Sequence, residues 1–311
     1  MKLIALLICA LALPVHAEFR VALILPGSDT DKGWNQMARE GLDRIKKELK
    51  ADTKAVTNVK SSDFYTQISN FAEDGYDLVI CHGGEFEKAA AQAAKTYPKT
   101  KIVVGGCPVD VKGAVAVEFM TRDASTLVGY VAGKVTKAHK VAFVGAMKVG
   151  PLEECYAGLA AGLKESGAAA ELLPALWTNS WDSPILARES AENAMSAGAD
   201  VIYQNVDAAA LGVFQAVQAA NKTRPTFAFG CNSNQNALAP DVILGSVVMD
   251  IQKAYLDLAT DAAANKLNPG PRKLGLKGGY VDLVLNDKHA AVTDDIKAGV
   301  ADLRKKLAEG K

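Results

Sequence analysis

The side chains best suited to meet a small molecule in this 311-residue chain are two tryptophans, Trp34 and Trp181, each in a polar, turn-rich stretch behind an apolar run. An indole gains by packing on a flat ring, and two indoles facing one another would hold such a ring between them. Polar groups share these stretches. Asp31 and Asn35 flank Trp34, Asp182 follows Trp181, and Glu85, Asn205, Asp207 and Asn232 stand in comparable places. Carboxylates and amides so placed read the edges of a heterocycle by hydrogen bonds. Each also has a structural alternative: Asp31 and Asp182 are of the type that caps a following helix or supports a turn. A tryptophan closes over a core, and His82 is as well suited to packing as to a ligand.

Arrangements for bond-making chemistry are missing from the sequence. There is no Gly-x-Ser-x-Gly elbow, no P-loop, no His-Glu-x-x-His and no dinucleotide glycine fingerprint after the first apolar run. Cys81, His82 and Glu85 are close in the chain, but closeness in sequence does not make a nucleophile and its base. The reading is a binding protein, not an enzyme, with no cofactor and no metal.

The elements that must position these residues alternate. Short runs rich in branched residues, at 19–25, 77–81 and 101–106, are separated by helical patterns at 34–49, 64–74 and 85–96, as in parallel strands joined by helices. After a helix at 124–135 the cycle restarts, with strands at 140–145, 172–177, 200–204 and 226–230 and helices at 151–166, 185–197 and 209–220. The fold class expected is α/β, two doubly wound Rossmann-like lobes joined by a hinge. A first crossing between lobes is expected near 137–140 and a second around the strand at 242–248. A late hairpin, 273–276 with 280–285 around Gly278-Gly279, would make a third. The lobes would then be 18–137 plus about 249–275, and 138–248 plus about 276–311. The helix at 294–309 is a charged surface element.

In such sheets, ligands sit beyond the carboxyl ends of the strands. The segments there are 26–35, 81–86 (with His82, Gly84, Glu85 and Phe86), 107–108 and 119–123 (with Thr121) from the first lobe. The second contributes 146–150, 178–182, 205–207 and 231–235.

Bulk properties narrow the partners. Thirty-five basic and 35 acidic residues cancel, and no long basic run stands out, so nucleic acid is not an expected partner. Lys2 and the apolar residues 3–13, followed by Pro14-Val15-His16-Ala17, have the order of a secretory signal with cleavage after Ala17. The run falls well short of the ~20 residues that span a bilayer. Cys9 follows Leu6-Leu7-Ile8 and so lacks the small residue that precedes a lipoprotein cysteine. A soluble periplasmic protein, monomeric, is expected. Of the four later cysteines, Cys81 and Cys107 end neighbouring strands and are the best-placed pair for a bridge; small buried thiols are the alternative.

These residues resemble the basic membrane protein family, purine-nucleoside-type binding proteins of ABC importers. The likeness is carried by Asp31-Lys32-Gly33-Trp34-Asn35 with Glu40-Gly41-Leu42, by Leu127-Val128-Gly129-Tyr130, by Gly158 with Ala161-Gly162, and by Asn179-Ser180-Trp181-Asp182-Ser183-Pro184 ahead of Gly198-Ala199-Asp200-Val201-Ile202. The resemblance implies a type I periplasmic binding protein fold, a purine between Trp34 and Trp181, a base-edge contact from Asn35, and an ABC permease as partner. This chain departs from the pattern where nucleoside binders hold the ribose. Asn232 stands for an aspartate in Gly230-Cys231-Asn232-Ser233-Asn234-Gln235, Met249 for a lysine, Thr121 for an acidic residue, and the first-strand aspartate is lost around Leu25-Pro26. The resemblance thus implies a flat heterocycle without a sugar, a purine nucleobase above all; a purine nucleoside, or a receptor module of the same fold, is the alternative.

Overall fold

The structure, a computed structural model, describes residues 18–31 and 33–310. The expected signal segment 1–17, with Cys9 and the cleavage point after Ala17, lies outside the described residues.

The first half runs β1 (Arg20–Ile24), α1 (Trp34–Leu49), β2 (Asp52–Val56), α2 (Phe64–Glu73), β3 (Leu78–His82), α3 (Glu87–Thr96), β4 (Lys101–Gly105) and β5 (Val115–Phe119). It continues with α4 (Thr121–Val135), β6 (Lys140–Gly145), α5 (Gly150–Glu165), β7 (Glu171–Leu172), β8 (Leu176–Trp177), α6 (Pro184–Ser196), β9 (Val201–Asn205), α7 (Ala210–Asn221), β10 (Phe227–Gly230) and β11 (Ile243–Met249). Last come α8 (Ile251–Ala263), β12 (Gly270–Leu274), β13 (Val281–Leu285) and α9 (Asp294–Ala308).

Two sheets result. The first has the order β12-β5-β4-β3-β1-β2, all parallel; the second has β13-β11-β10-β9-β6-β7, parallel but for β13, with β8 also on β6. The branched runs are buried throughout because helices cover both faces, as parallel sheets require. Two strands are not anticipated by the sequence pattern. β2 is half-exposed at an edge and polar in composition, and β5 ends in a stretch that includes Glu118. The single strand expected over 172–177 is two short pieces separated by Pro174, which has no N–H to give a ladder.

Three corrections concern how the chain moves between sheets. α4, expected with the first lobe, packs on α5 of the second: a methyl added at Gly129 would lie 2.2 Å from Leu159 O, and one at Gly162 only 1.9 Å from Thr126 O. The chain therefore crosses at 119–121, not near 137–140. The latter stretch is pinned to the second sheet by buried Asp200, whose carboxylate accepts from the N–H groups of Lys137 and Ala138, both at 2.7 Å. Thirdly, the strands of the expected hairpin do not pair with each other: β12 joins β5 and β13 joins β11, so this segment is a crossing. The crossings lie against one another. Met120 N–H donates to Leu274 O at 2.8 Å, and Asp250 N–H to Tyr280 O at 2.8 Å.

α8 returns to the first sheet's layer and packs on α1, where Gly41 lets Gln252 approach. The stripe Met37, Ala38, Gly41, Leu42 and Ile45 is the buried face of α1. The carboxyl ends of β1, β3 and β4 are thereby set opposite those of β9, β10 and β11.

Candidate functional site between the sheets

On the first sheet's side the site is built around the start of α1. Asp31 is wholly engaged in forming it. Its Oδ1 accepts from the N–H groups of Gly33 (2.9 Å) and Gln36 (3.0 Å), and its Oδ2 from Asn35 N–H (3.0 Å) and Asn35 Nδ2 (2.7 Å). The capping role thus accounts for Asp31, which satisfies orphan amides and places negative charge where the helix dipole favours it. Because Asn35 must turn its amide nitrogen to that carboxylate, its Oδ1 is fixed the other way. That oxygen is buried and has no partner among the described residues.

Trp34 opens α1 with its ring stacked on His82, centroids 4.1 Å apart at 23°, and the edge of Phe119 at 6.2 Å. A methyl at Gly106, whose φ is +70°, would lie 2.8 Å from Trp34 Cζ2. His82 is fully buried. Its Nε2–H donates to Trp34 O at 2.9 Å, so Nδ1 is the acceptor of a hydrogen bond from the Tyr255 hydroxyl on α8. Burial pushes its pKa down from 6.5 to about 3, against the pull of the Trp34 carbonyl and Asp31. His82 is therefore a neutral support behind the indole.

On the second sheet's side, Asp207 and Asn232 occupy the left-handed region at φ +50° and +69°, which aspartate and asparagine tolerate better than most residues. Asp207 Oδ1 accepts from Asn232 Nδ2 at 3.1 Å and, across the gap, from Trp34 N–H at 3.3 Å. The carboxylate fits because residue 33 is glycine: a methyl there would be 2.0 Å from Oδ1. Burial, then the charge of Asp31, raises the Asp207 pKa from 3.8 to about 6, opposed by the bonds from Asn232 and Trp34. Beneath lie Thr121 and Asn205, both buried and joined through Cys155, whose Sγ donates to Thr121 Oγ1 at 3.4 Å and accepts from Asn205 Nδ2 at 3.7 Å. Met249 ends β11, half-buried, with its N–H on Asn232 O at 3.0 Å.

The other expected site residues make no side-chain bond to this group among the described residues. Phe86 is fully buried in the first sheet's second core, stacked on Phe64 at 3.7 Å, because the 3₁₀ turn at Gly84–Phe86 rotates it inward. Gly84 of that turn lies close under Gly106 O, and Glu85 is exposed. Asp182 is exposed and accepts from Ser180 Oγ at 2.8 Å, supporting its own turn. Trp181 is 40% exposed and is held through its carbonyl, which accepts from Ala209 N–H at 3.1 Å. Among the described residues its ring stacks on no other aromatic, Trp34 included. All four cysteines here are buried and free, so Cys81 and Cys107 are unbridged small groups of the core.

Sequence reasoning missed the residues that hold others in place. Tyr255 fixes the His82 tautomer from a helix far along the chain. Gln235 Oε1 accepts from Gln204 Nε2 (2.8 Å) and Cys231 N–H (3.0 Å), shaping the loop that carries Asn232. Gln235 was visible as the end of the Asn232-Ser233-Asn234-Gln235 stretch; nothing local marked Tyr255.

Comparison with known proteins agrees with this architecture. The family model described as ABC transporter substrate-binding protein PnrA-like matches residues 19–310. A protein of Listeria monocytogenes named CD4+ T-cell-stimulating antigen is 28% identical, over 94% of this chain and 87% of its own. The ABC transporter nucleoside-binding protein BmpA of Lactococcus lactis is 26% identical, over 96% and 89%. Among solved structures, an ABC transporter solute-binding protein from Aeropyrum pernix superposes with a TM-score of 0.80 at 21% identity, over 94% of this chain and 92% of that one; it shares the two-lobed α/β fold.

Proposed function

The chain belongs to the PnrA-like family of ABC transporter substrate-binding proteins, and we propose on that premise that it captures a flat heterocycle, a purine nucleobase, and delivers it to an ABC importer. The family is one of substrate-binding proteins, not enzymes, and its members act with a small-molecule ligand and a membrane permease. The proposal includes export by residues 1–17 and a free, monomeric periplasmic protein.

The observation that carries the reading is Trp34. Its indole is backed by His82 on one face and steadied by Phe119 at its edge, so that one face remains to meet a ring, beside the acceptors of Asp207 and Asn35. Trp181, exposed on the opposite lobe, would cover the ligand's other face on closure. Base is preferred to nucleoside because Asn232, Met249 and Thr121 stand where the family pattern has charged groups for the ribose. Asn232 is moreover spent on Asp207. The Lactococcus lactis relative named for nucleoside binding supports the second reading, a purine nucleoside.

Protein freed of carried ligand by unfolding and refolding is tested by thermal shift against adenine, guanine, hypoxanthine and their nucleosides. A base should raise Tm, since a ligand selective for the native state stabilises it, and Trp34→Ala or Trp181→Ala should weaken that binding by about 1–3 kcal/mol. Response to nucleosides alone would overturn the base preference, and silence to every purine would overturn the ligand class.

A further inference from the structure

Asp207 bonds across the cleft from one lobe to the other. Its Oδ1 is committed twice, to Asn232 Nδ2 of its own lobe and to the Trp34 N–H at the start of α1 in the other. Its Oδ2 has no donor among the described residues, while Gly33 supplies the notch that admits the carboxylate. Two further features make the arrangement more than an incidental contact. Asp207 and Asn232 both sit at positive φ, a cost maintained where surrounding structure demands it. The carboxylate also lies near a second acid, Asp31, which is itself saturated by α1 and so offers Asp207 no proton or donor.

We propose that Asp207 couples closure to recognition: one carboxylate oxygen latches the second lobe onto the N-terminus of α1, and the other selects heterocycles that carry an exocyclic amino group. A carboxylate at a helix N-terminus gains from both the free N–H and the dipole, so the latch favours the closed form before any ligand arrives. A ligand amine donating to Oδ2 adds a charge-assisted bond in the closed form alone, which is the differential contact that shifts such an equilibrium. A ring presenting only acceptors at that edge would set lone pair against carboxylate. This rests on the cleft being a heterocycle site, but the latch does not depend on which heterocycle binds.

The test uses Asp207→Asn, Asp207→Gly and Gly33→Ala in the full mature chain. Inter-lobe distance is read by fluorescence energy transfer without ligand, and affinity for adenine and for unsubstituted purine by calorimetry. Asp207→Asn keeps an oxygen for Trp34 N–H and Asn232, and both residue types tolerate the left-handed backbone, but it turns an amide nitrogen toward the ligand. The wild type should prefer adenine to purine by about ten- to a hundredfold, the range of a hydrogen bond to a charged group, and Asp207→Asn should bring the two within about threefold. The ligand-free closed population should survive Asp207→Asn and fall in Asp207→Gly, where glycine retains the backbone, and in Gly33→Ala. An adenine preference that persists in Asp207→Asn overturns the recognition role. An unchanged inter-lobe distance in Asp207→Gly and Gly33→Ala overturns the latch. If neither base binds the wild type, the recognition role and the heterocycle reading fall together, while the distance measurement still decides the latch.

Discussion

At the scale of single residues, the site rests on a histidine that stays neutral down to about pH 3. His82 sits under the Trp34 ring with both nitrogens engaged, and a proton on Nδ1 would have to displace the Tyr255 hydroxyl bond at a fully buried position. The folded protein refuses a proton until about pH 3, whereas the unfolded chain accepts one near 6.5. Between those values the unfolded state binds more protons, so stability is lost as pH falls from about 6.5 toward 3, by up to about 1.4 kcal/mol per pH unit. Asp207 works the other way. Its carboxyl holds a proton up to about pH 6 in the fold against 3.8 when free, so its contribution favours folding as pH falls through 6. Urea melts from pH 7.5 to 4 should show a steeper acid loss in Asp207→Asn, which lacks the opposing group, and a shallower one in His82→Gln. Equal slopes in wild type and His82→Gln would contradict the neutral support. At this scale the sequence showed which types of side chain gather at the strand ends, but not their occupations. Asp31 and Asp182 are equally plausible as ligand contacts or turn supports until their partners are seen, and Phe86 is turned into the core by a single 3₁₀ turn.

At the scale of elements, most strands were legible because a parallel strand buried on both faces must be an unbroken apolar run. The layer to which a helix belongs was not. α4 has apolar residues nearly all round, so its periodicity cannot say which sheet it covers. A signal was present nonetheless: Gly129 and Gly133 on α4, and Gly158 and Gly162 on α5, recur at intervals of four, the spacing of one helix face. Small residues on one face of each of two helices let their backbones approach, and here Gly162 meets the carbonyl of Thr126 and the Cα of Gly129. Gly162→Ala has no space to relax into backbone and should destabilise the fold by about 1–3 kcal/mol or more through overpacking, lowering the urea midpoint. Alanine's better helix propensity offsets up to about 1 kcal/mol of this. Heterocycle affinity in the folded fraction should be unchanged, since Gly162 packs on Thr126, Gly129 and Tyr130, whereas the two helices meet at the site through Thr121 and Cys155. A midpoint that rises would mean that the helices are free to separate.

At the scale of the molecule, what distinguishes this chain from two independent domains is that each sheet is completed by late sequence. β12 extends the first sheet beyond β5, and α8 covers the face of α1 that carries Gly41, although both come after β11 of the second sheet. The three crossings are bonded to one another through Met120 with Leu274 and Asp250 with Tyr280, and Tyr280 is further tied to α8 by its hydroxyl on Asp257 at 2.9 Å and by Lys253 Nζ 3.7 Å from its ring centre. We therefore take the first lobe to be 19–119 with 251–274, and the crossings to be a hinge whose strands bend together. The consequence is a prediction about fragments. Residues 19–119 alone leave the α1 face and the β5 edge uncovered, surfaces that invite aggregation, and should give a poorly dispersed, aggregating product by NMR. The same fragment joined by a flexible linker to 251–274 restores both covers and should give a dispersed spectrum and a cooperative melt. If 19–119 folds alone as well as the joined form, α8 and β12 are accessories to the lobe. If instead only the joined form folds, the return of the chain after β11 is what makes a lobe, and closure on a ligand is then the motion of two such interleaved bodies about crossings that neither can lose.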